Sequence, residues 1–170
     1  MYGMIADPQA ALAIFAKAVV ELLLDEDLAY ADPAERALVG RLAVLLEGKF
    51  PGWSISIEWN RRENVVKRLR YGLTDEELER EGAIVPDLLI HRVGKRENLL
   101  VVEVKKSSNG DYEGDIWKLE GMTEQAGSYG YAAGLHLVID MKAGHVERGD
   151  VYVDAQIDAG LTTWLRDQLP

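Results

Sequence analysis

Two segments decide the reading of this chain: Val85-Pro86-Asp87-Leu88-Leu89-Ile90-His91-Arg92 and Leu99-Leu100-Val101-Val102-Glu103-Val104-Lys105-Lys106. Both are apolar runs of strand length rich in branched residues, and Gly94-Lys95-Arg96-Glu97 between them is a turn sequence. They predict a hairpin with strands near 84–93 and 99–106. Side chains two apart share a strand face, so Glu103 and Lys105 lie together. A turn centred near Lys95 sets Asp87 opposite Glu103 to within one register step, and opposed residues approach to about 5 Å at Cβ. Two carboxylates that close repel unless a cation lies between them. Magnesium meets that need, since it takes hard oxygen ligands, typically one or two carboxylates with water and phosphate oxygens. Bound there it would stabilise charge on a phosphate and help generate hydroxide, while Lys105 would orient the attacking water or offset transition-state charge. The plain alternative is a solvated hairpin end. Against it, the apolar run 99–102 carries Glu103 and Lys105 out of a core strand, where idle charge is costly to bury.

Working outward, Asp7-Pro8 opens a helix reaching about Asp25, with Leu12, Phe15, Val19, Leu22 and Leu23 on its core face. Asp32-Pro33-Ala34-Glu35 opens a second helix by the same chemistry, with Leu38, Leu42, Leu45 and Leu46 as its stripe and Gly48 and Pro51 as its stop. The period then becomes two: Trp53, Ile55, Ile57 and Trp59 alternate with polar residues, a half-buried strand. A basic run follows (Arg61, Arg62, Lys67, Arg68, Arg70), then an acidic one over 73–81 whose Thr74-Asp75-Glu76-Glu77 is a capping box for a short helix. After the hairpin come a polar loop over 107–114, a helix from about Asp115 to Ser128, a buried strand from Leu135 to Met141, a short edge strand at Val151–Val153 and a closing helix from Asp158 to Leu169. The order predicts a mixed α/β domain.

At 170 residues the chain fits one domain, and with 48% hydrophobic and 28% charged residues it has the material for a core. The formal net charge of −10 argues against coating nucleic acid by bulk charge, though not against a local basic contact. There is no cysteine, which excludes disulfides, cysteine zinc sites and thiol nucleophiles. The most apolar stretch, Ala10–Leu24, is interrupted by Lys17 and Glu21 and is too short to span a bilayer. Nothing basic precedes it, so a signal peptide is not expected. The expectation is a cytoplasmic protein with no membrane partner. His91, His136 and His145 read as structural or hydrogen-bonded.

The two quoted segments, in their context, resemble the PD-(D/E)xK nuclease superfamily, the restriction-endonuclease-like fold that also includes Holliday-junction resolvases. The likeness covers roughly residues 33–141, with 1–30 a helical extension and 142–170 a closing strand and helix. It implies a mixed central β-sheet flanked by helices, with Asp87 and Glu103 as metal ligands, Lys105 as the catalytic lysine and the Val104 carbonyl completing the metal shell. It also implies an acid on the preceding helix, for which Glu35 is the choice, although Glu35 is equally the N3 residue of a capping box begun by Asp32. The family supplies a basic contact near Lys118, otherwise an ordinary surface lysine. Gln125 to Tyr129 formally matches a Q-x-x-x-Y motif of one branch, and nothing is built on it.

The resemblance implies a Mg²⁺-dependent deoxyribonuclease, with Mn²⁺ as substitute, cutting duplex or branched DNA as a homodimer. Arg61, Arg62, Lys67, Arg68, Lys106 and Lys118 are the expected nucleic-acid contacts, although the basic run reads equally as a solvated loop paired with its acidic neighbour. The competing expectation is a non-catalytic module on the same fold. It would bind a protein or nucleic-acid partner, the protein through the acidic N-terminal helices where Leu22, Leu23 and Leu24 give more apolar surface than one face needs.

Overall fold

The computed structural model describes residues 7–57, 86–92 and 97–170. The basic residues Arg61, Arg62, Lys67 and Arg68, the expected helix over 74–82 and the turn at 94–96 lie outside the described residues.

Helix α1 (Pro8–Leu23) starts as its sequence requires: the Asp7 carboxylate accepts the N–H groups of Gln9 and Ala10 at 3.3 and 3.2 Å. Its buried face, from Ala11 and Leu12 through Phe15 and Val19 to Leu22, lies against the sheet core. Each such leucine stabilises the fold by about 1.5–3 kcal/mol when fully buried. A six-residue helix α2 (Glu26–Ala31) follows, capped by Asp25. It buries none of its residues, so no apolar periodicity announces it in the sequence.

Helix α3 (Glu35–Leu46) departs from the expected start. Asp32 closes α2 in a left-handed conformation, φ 44°, and Ala34 is the N-cap of α3 without a side-chain cap bond. The Asp32 carboxylate instead meets Lys106 Nζ at 3.0 Å and Lys142 Nζ at 3.7 Å. Glu35 is therefore not the third residue of a capping box, and its carboxylate is available to another element.

Among the described residues the sheet has six strands in the order β1 (Ser54–Ile57), β2 (Leu88–Arg92), β3 (Glu97–Lys106), β4 (Ala133–Asp140), β5 (His145–Val153) and β6 (Gln156–Ile157). Only β3 and β4 run parallel; the other neighbours are antiparallel. The parallel step needs a crossover, which helix α4 (Glu113–Thr123) provides. Helix α5 (Ala159–Asp167) closes the chain, capped by Asp158.

The strand alternation of β3 sorts its residues between two cores. Leu100, Val102 and Val104 join the large core with α1, α3 and Leu165 of α5; Val101 joins Leu89, Leu119, Met122, Tyr131 and Tyr152 beneath α4. Glu103 and Lys105 continue the α4 face. Helix α4 sits low on the sheet because Gly134 lies under it: a Cβ there would come within 2.9 Å of Thr123 Cγ2 and 3.1 Å of Leu119 Cδ2.

Two boundaries differ from the sequence expectation. Helix α4 ends at Thr123 rather than Ser128: the Thr123 hydroxyl bonds back to the Leu119 carbonyl and Gln125 Nε2 covers the Thr123 and Tyr131 carbonyls, which closes the last turn. Strand β5 extends from His145 instead of beginning at Val151, its polar Glu147, Arg148 and Asp150 masking the pattern. The hairpin register, by contrast, follows the expectation, with Leu88 opposite Val102 and Leu89 opposite Val101. No helix among the described residues is long and apolar enough to cross a membrane.

Candidate active site

Strand β3 outruns its partner β2 at the end where Asp87 lies. Continuing the Leu88–Val102 register by one step brings Asp87 beside Glu103. Past that point β3 still pairs with β4 as far as Lys106, but on its other edge the described residues supply carboxylates in place of a strand. Asp87 Oδ2 accepts the Val104 N–H at 2.8 Å, and Glu35 Oε1 accepts the Lys106 N–H at 3.1 Å. Alternate residues of a strand point their N–H and C=O to the same edge, about 6.6 Å apart along the chain. The Val104 carbonyl is therefore on this edge, between the N–H taken by Asp87 and the one taken by Glu35. Helix α3 supplies Glu35 from its first turn, and Asn109 Nδ2 lies 3.4 Å from the same oxygen.

Glu103 is 1% exposed. Its Oε2 meets Lys118 Nζ at 3.3 Å, while Oε1 is buried and receives no hydrogen bond. Burial first, and the Asp87 charge second, push its carboxyl up to about 9, only partly offset by Lys118. Asp87 is raised as well, by burial above all, against the lowering effect of the Val104 N–H. Both shifts run in the direction of a shared proton, which close carboxyl pairs favour when nothing else neutralises them.

On the same face, α4 contributes a third buried carboxylate that the sequence reading treated only as a helix start. Asp115 Oδ2 lies 3.2 Å from His136 Nε2 and 3.4 Å from Lys105 Nζ. Burial works against the Asp115 charge, but the His136 hydrogen bond and the Lys105 and Lys118 ammoniums together hold its carboxyl below the usual range. Burial likewise works against the Lys105 charge, and Asp115, then Glu35, reverse the balance and raise it. His136 is fully buried on β4, directly beside Glu103 in the parallel register, with Tyr112 edge-on at 5.0 Å. Its Nδ1 has no partner, which puts the ring hydrogen on Nε2, facing Asp115.

The structure thus brings Asp87, Glu103, Lys105, Val104 and Glu35 to one end of β3, and adds Asp115 and His136. Lys118 belongs to the cluster through Glu103 rather than standing on the surface. Lys106 points to the other face, its ammonium on the Asp32 carboxylate and carbonyl at 3.0 and 3.1 Å. His91 is buried away from the site, its Nε2 2.9 Å from the Ser56 hydroxyl. Gln125 holds carbonyls at the end of α4. Asp115 is one of several polar residues on its helix; the signal for its burial was its place one and two turns before Leu119 and Met122 on the sheet-facing stripe.

The donor set suits a hard divalent ion. Asp87, Glu103 with its unsatisfied buried oxygen, and the Val104 carbonyl are all oxygen donors, and no thiol is present. Among the described residues no group of three or more acidic or histidine side chains is placed to hold a metal ion by itself. Two carboxylates and a main-chain oxygen are what this strand end could offer, and Mg²⁺ is commonly held by one or two carboxylates with water and substrate oxygens.

No family model matches this chain, and no curated protein or solved structure matches it.

Proposed function

We propose that this protein is a metal-dependent phosphodiesterase that hydrolyses DNA, built on a restriction-endonuclease-like core of the PD-(D/E)xK type. The observation that carries this reading is the Glu103 carboxylate. It is 1% exposed beside Asp87, with one oxygen unsatisfied and a carboxyl held near 9 for want of a stronger cation. A purely structural acid at that depth would be hydrogen-bonded at both oxygens or replaced by an apolar residue. The element order supports the same reading: helix α3, strand β1, the β2–β3 hairpin, helix α4 and a β4 parallel to β3 follow one another as that fold requires.

Asp87, Glu103 and the Val104 carbonyl would hold Mg²⁺ or Mn²⁺, with Glu35 beside them. The ion supplies Lewis acidity toward a phosphate oxygen and acidifies water. The chain's own groups do the rest. Lys105, anchored by Asp115, places a fixed positive charge where negative charge grows on the phosphate. Asp115 cannot take a proton readily while His136 and both lysines face it, so the Lys105 ammonium keeps its partner. Water adds at phosphorus, one P–O ester bond breaks, and a phosphomonoester and a hydroxyl end result. Backbone contact with DNA falls to the Arg61, Arg62, Lys67 and Arg68 segment, since Lys105, Lys106 and Lys118 already face carboxylates. A cytoplasmic homodimer, cutting both strands, completes the proposal.

The test is cleavage of supercoiled, linear, single-stranded and four-way-junction DNA in millimolar Mg²⁺ or Mn²⁺. Cleavage of at least one substrate by the wild type, lost in Lys105→Ala, supports the reading. No cleavage of any of them by folded wild-type protein contradicts it.

A second reading, a partner-binding module on the same fold, draws on Leu24 and Tyr30, which are 74% and 93% exposed on the acidic N-terminal helices. Such paired apolar groups amid acids suit a basic protein surface. Silent Asp87→Ala and a metal-indifferent thermal midpoint would favour it.

A further inference from the structure

Lys118 lies between the carboxylates of Glu103 on β3 and Asp115 on its own helix. Its Nζ lies 3.3 Å from Glu103 Oε2 and 4.0 Å from Asp115 Oδ1, bridging two carboxylates on the side of Glu103 away from the unsatisfied Oε1. Two-metal phosphodiesterase sites hold their ions about 3.5–4 Å apart across a shared carboxylate. Here the shared carboxylate is Glu103, with one oxygen open and the other on an ammonium.

Charge leads to the same count. Asp87, Glu103, Asp115 and Glu35 face Lys105 and Lys118, and Glu35 acts on Lys105 at a distance. Among the described residues, once an ion has displaced the proton from the Asp87–Glu103 pair, four carboxylates against two ammoniums leave two negative charges, which one divalent ion neutralises. A second ion would leave two uncompensated positive charges around a carboxylate that is 1% exposed, an expensive excess in a low-dielectric setting. The remaining nearby lysine, Lys106, is occupied by Asp32 on the other face and does not enter the balance.

We propose that Lys118 is a built-in cation that replaces the second metal ion, so that each chain binds one divalent ion between Asp87 and Glu103 and gains a second site only when the Lys118 ammonium is removed. This rests on the metal site of the proposed function and adds its stoichiometry. Lys118 belongs to neither apolar core, so its replacement removes no core side chain.

The experiment counts Mn²⁺ by isothermal titration and by electron paramagnetic resonance in wild type, Lys118→Ala, Lys118→Gln and Lys118→Arg, with Glu103→Gln as the baseline for ions held by the acidic surface. Above that baseline the expected counts are one ion for wild type and Lys118→Arg, and two for Lys118→Ala and Lys118→Gln. The two ions should give the exchange-coupled spectrum of a close pair. Lys118→Gln, which keeps most of the volume, answers the question if Lys118→Ala does not fold. Two ions in wild type, or one in every Lys118 variant, overturns the inference and leaves the proposed function standing. No ion in wild type but one in Lys118→Ala also overturns it, because Lys118 would then replace the only ion. No ion above the baseline in any protein contradicts the metal site itself and both readings with it.

Discussion

Asp87 accepts the backbone N–H of Val104 at 2.8 Å, where β2 has run out and β3 continues. A carboxylate does here what a strand would otherwise do, and so becomes fixed on the edge of β3 to which the Val104 carbonyl also points. Two residues further along, Glu35 repeats the arrangement at the N–H of Lys106 at 3.1 Å. The spacing of the site is therefore set by strand pleat, not by side-chain reach.

The site should make metal-free stability fall as pH rises. Glu103 titrates near 4.5 when unfolded and near 9 when folded, so between these values the native state holds a proton that the unfolded state has lost. Stability is then fully present below the lower value and declines toward the upper one, at up to about 1.4 kcal/mol per pH unit. Urea denaturation between pH 5 and 9 in chelator measures this, and Glu103→Gln should flatten the slope.

Divalent metal should reverse that trend. An ion binding between Asp87 and Glu103 displaces the shared proton, so its apparent affinity rises with pH up to about 9. Titrations in buffers of different ionisation enthalpy should show about one proton released per ion. No release would mean that the ion binds elsewhere.

On the proposed function, Asp115 and His136 would be positioning residues for Lys105. Asp115→Asn and His136→Phe should lower kcat for DNA cleavage by about 10- to 100-fold, the usual cost of losing a supporting hydrogen bond at a metal site, with KM little changed. His136→Gln, which can offer an N–H toward Asp115, should recover part of the loss. A rise in KM with kcat intact would assign these groups to substrate binding instead.

Much of this was legible in the sequence, and the reasons are specific. The hairpin register could be read because its turn is short and its strands are apolar runs, so Asp87 and Glu103 could be paired before any coordinates. Lys105 followed from strand alternation. The role of Glu35 was obscured by Asp32-Pro33-Ala34-Glu35, a good capping sequence; long-range pairing of Asp32 with Lys106 and Lys142 overrode that local preference. Lys118 and Asp115 sit on a helix whose end was misplaced by five residues, and only the packing of α4 over Gly134 shows which face they present. Helix α2 and the polar half of β5 have no apolar period to betray them.

Gly134→Ala tests that packing. The added methyl would press on Thr123 and Leu119, lifting α4 and with it Asp115 and Lys118. Overpacking of this kind costs about 1–3 kcal/mol, and here it should also weaken metal binding, through a residue that touches no ligand. Thermal denaturation with and without Mn²⁺ separates the two effects; an unchanged midpoint would mean that α4 can shift without strain.

The most direct measurement is calorimetric titration of Mg²⁺ and Mn²⁺ into wild type and into Asp87→Ala/Glu103→Ala, each checked for native circular dichroism. Saturable binding in wild type that the double variant loses is the predicted result. Equal binding in both proteins, or none in wild type at millimolar metal with or without a non-hydrolysable DNA duplex, would contradict a metal-dependent phosphodiesterase at this strand edge.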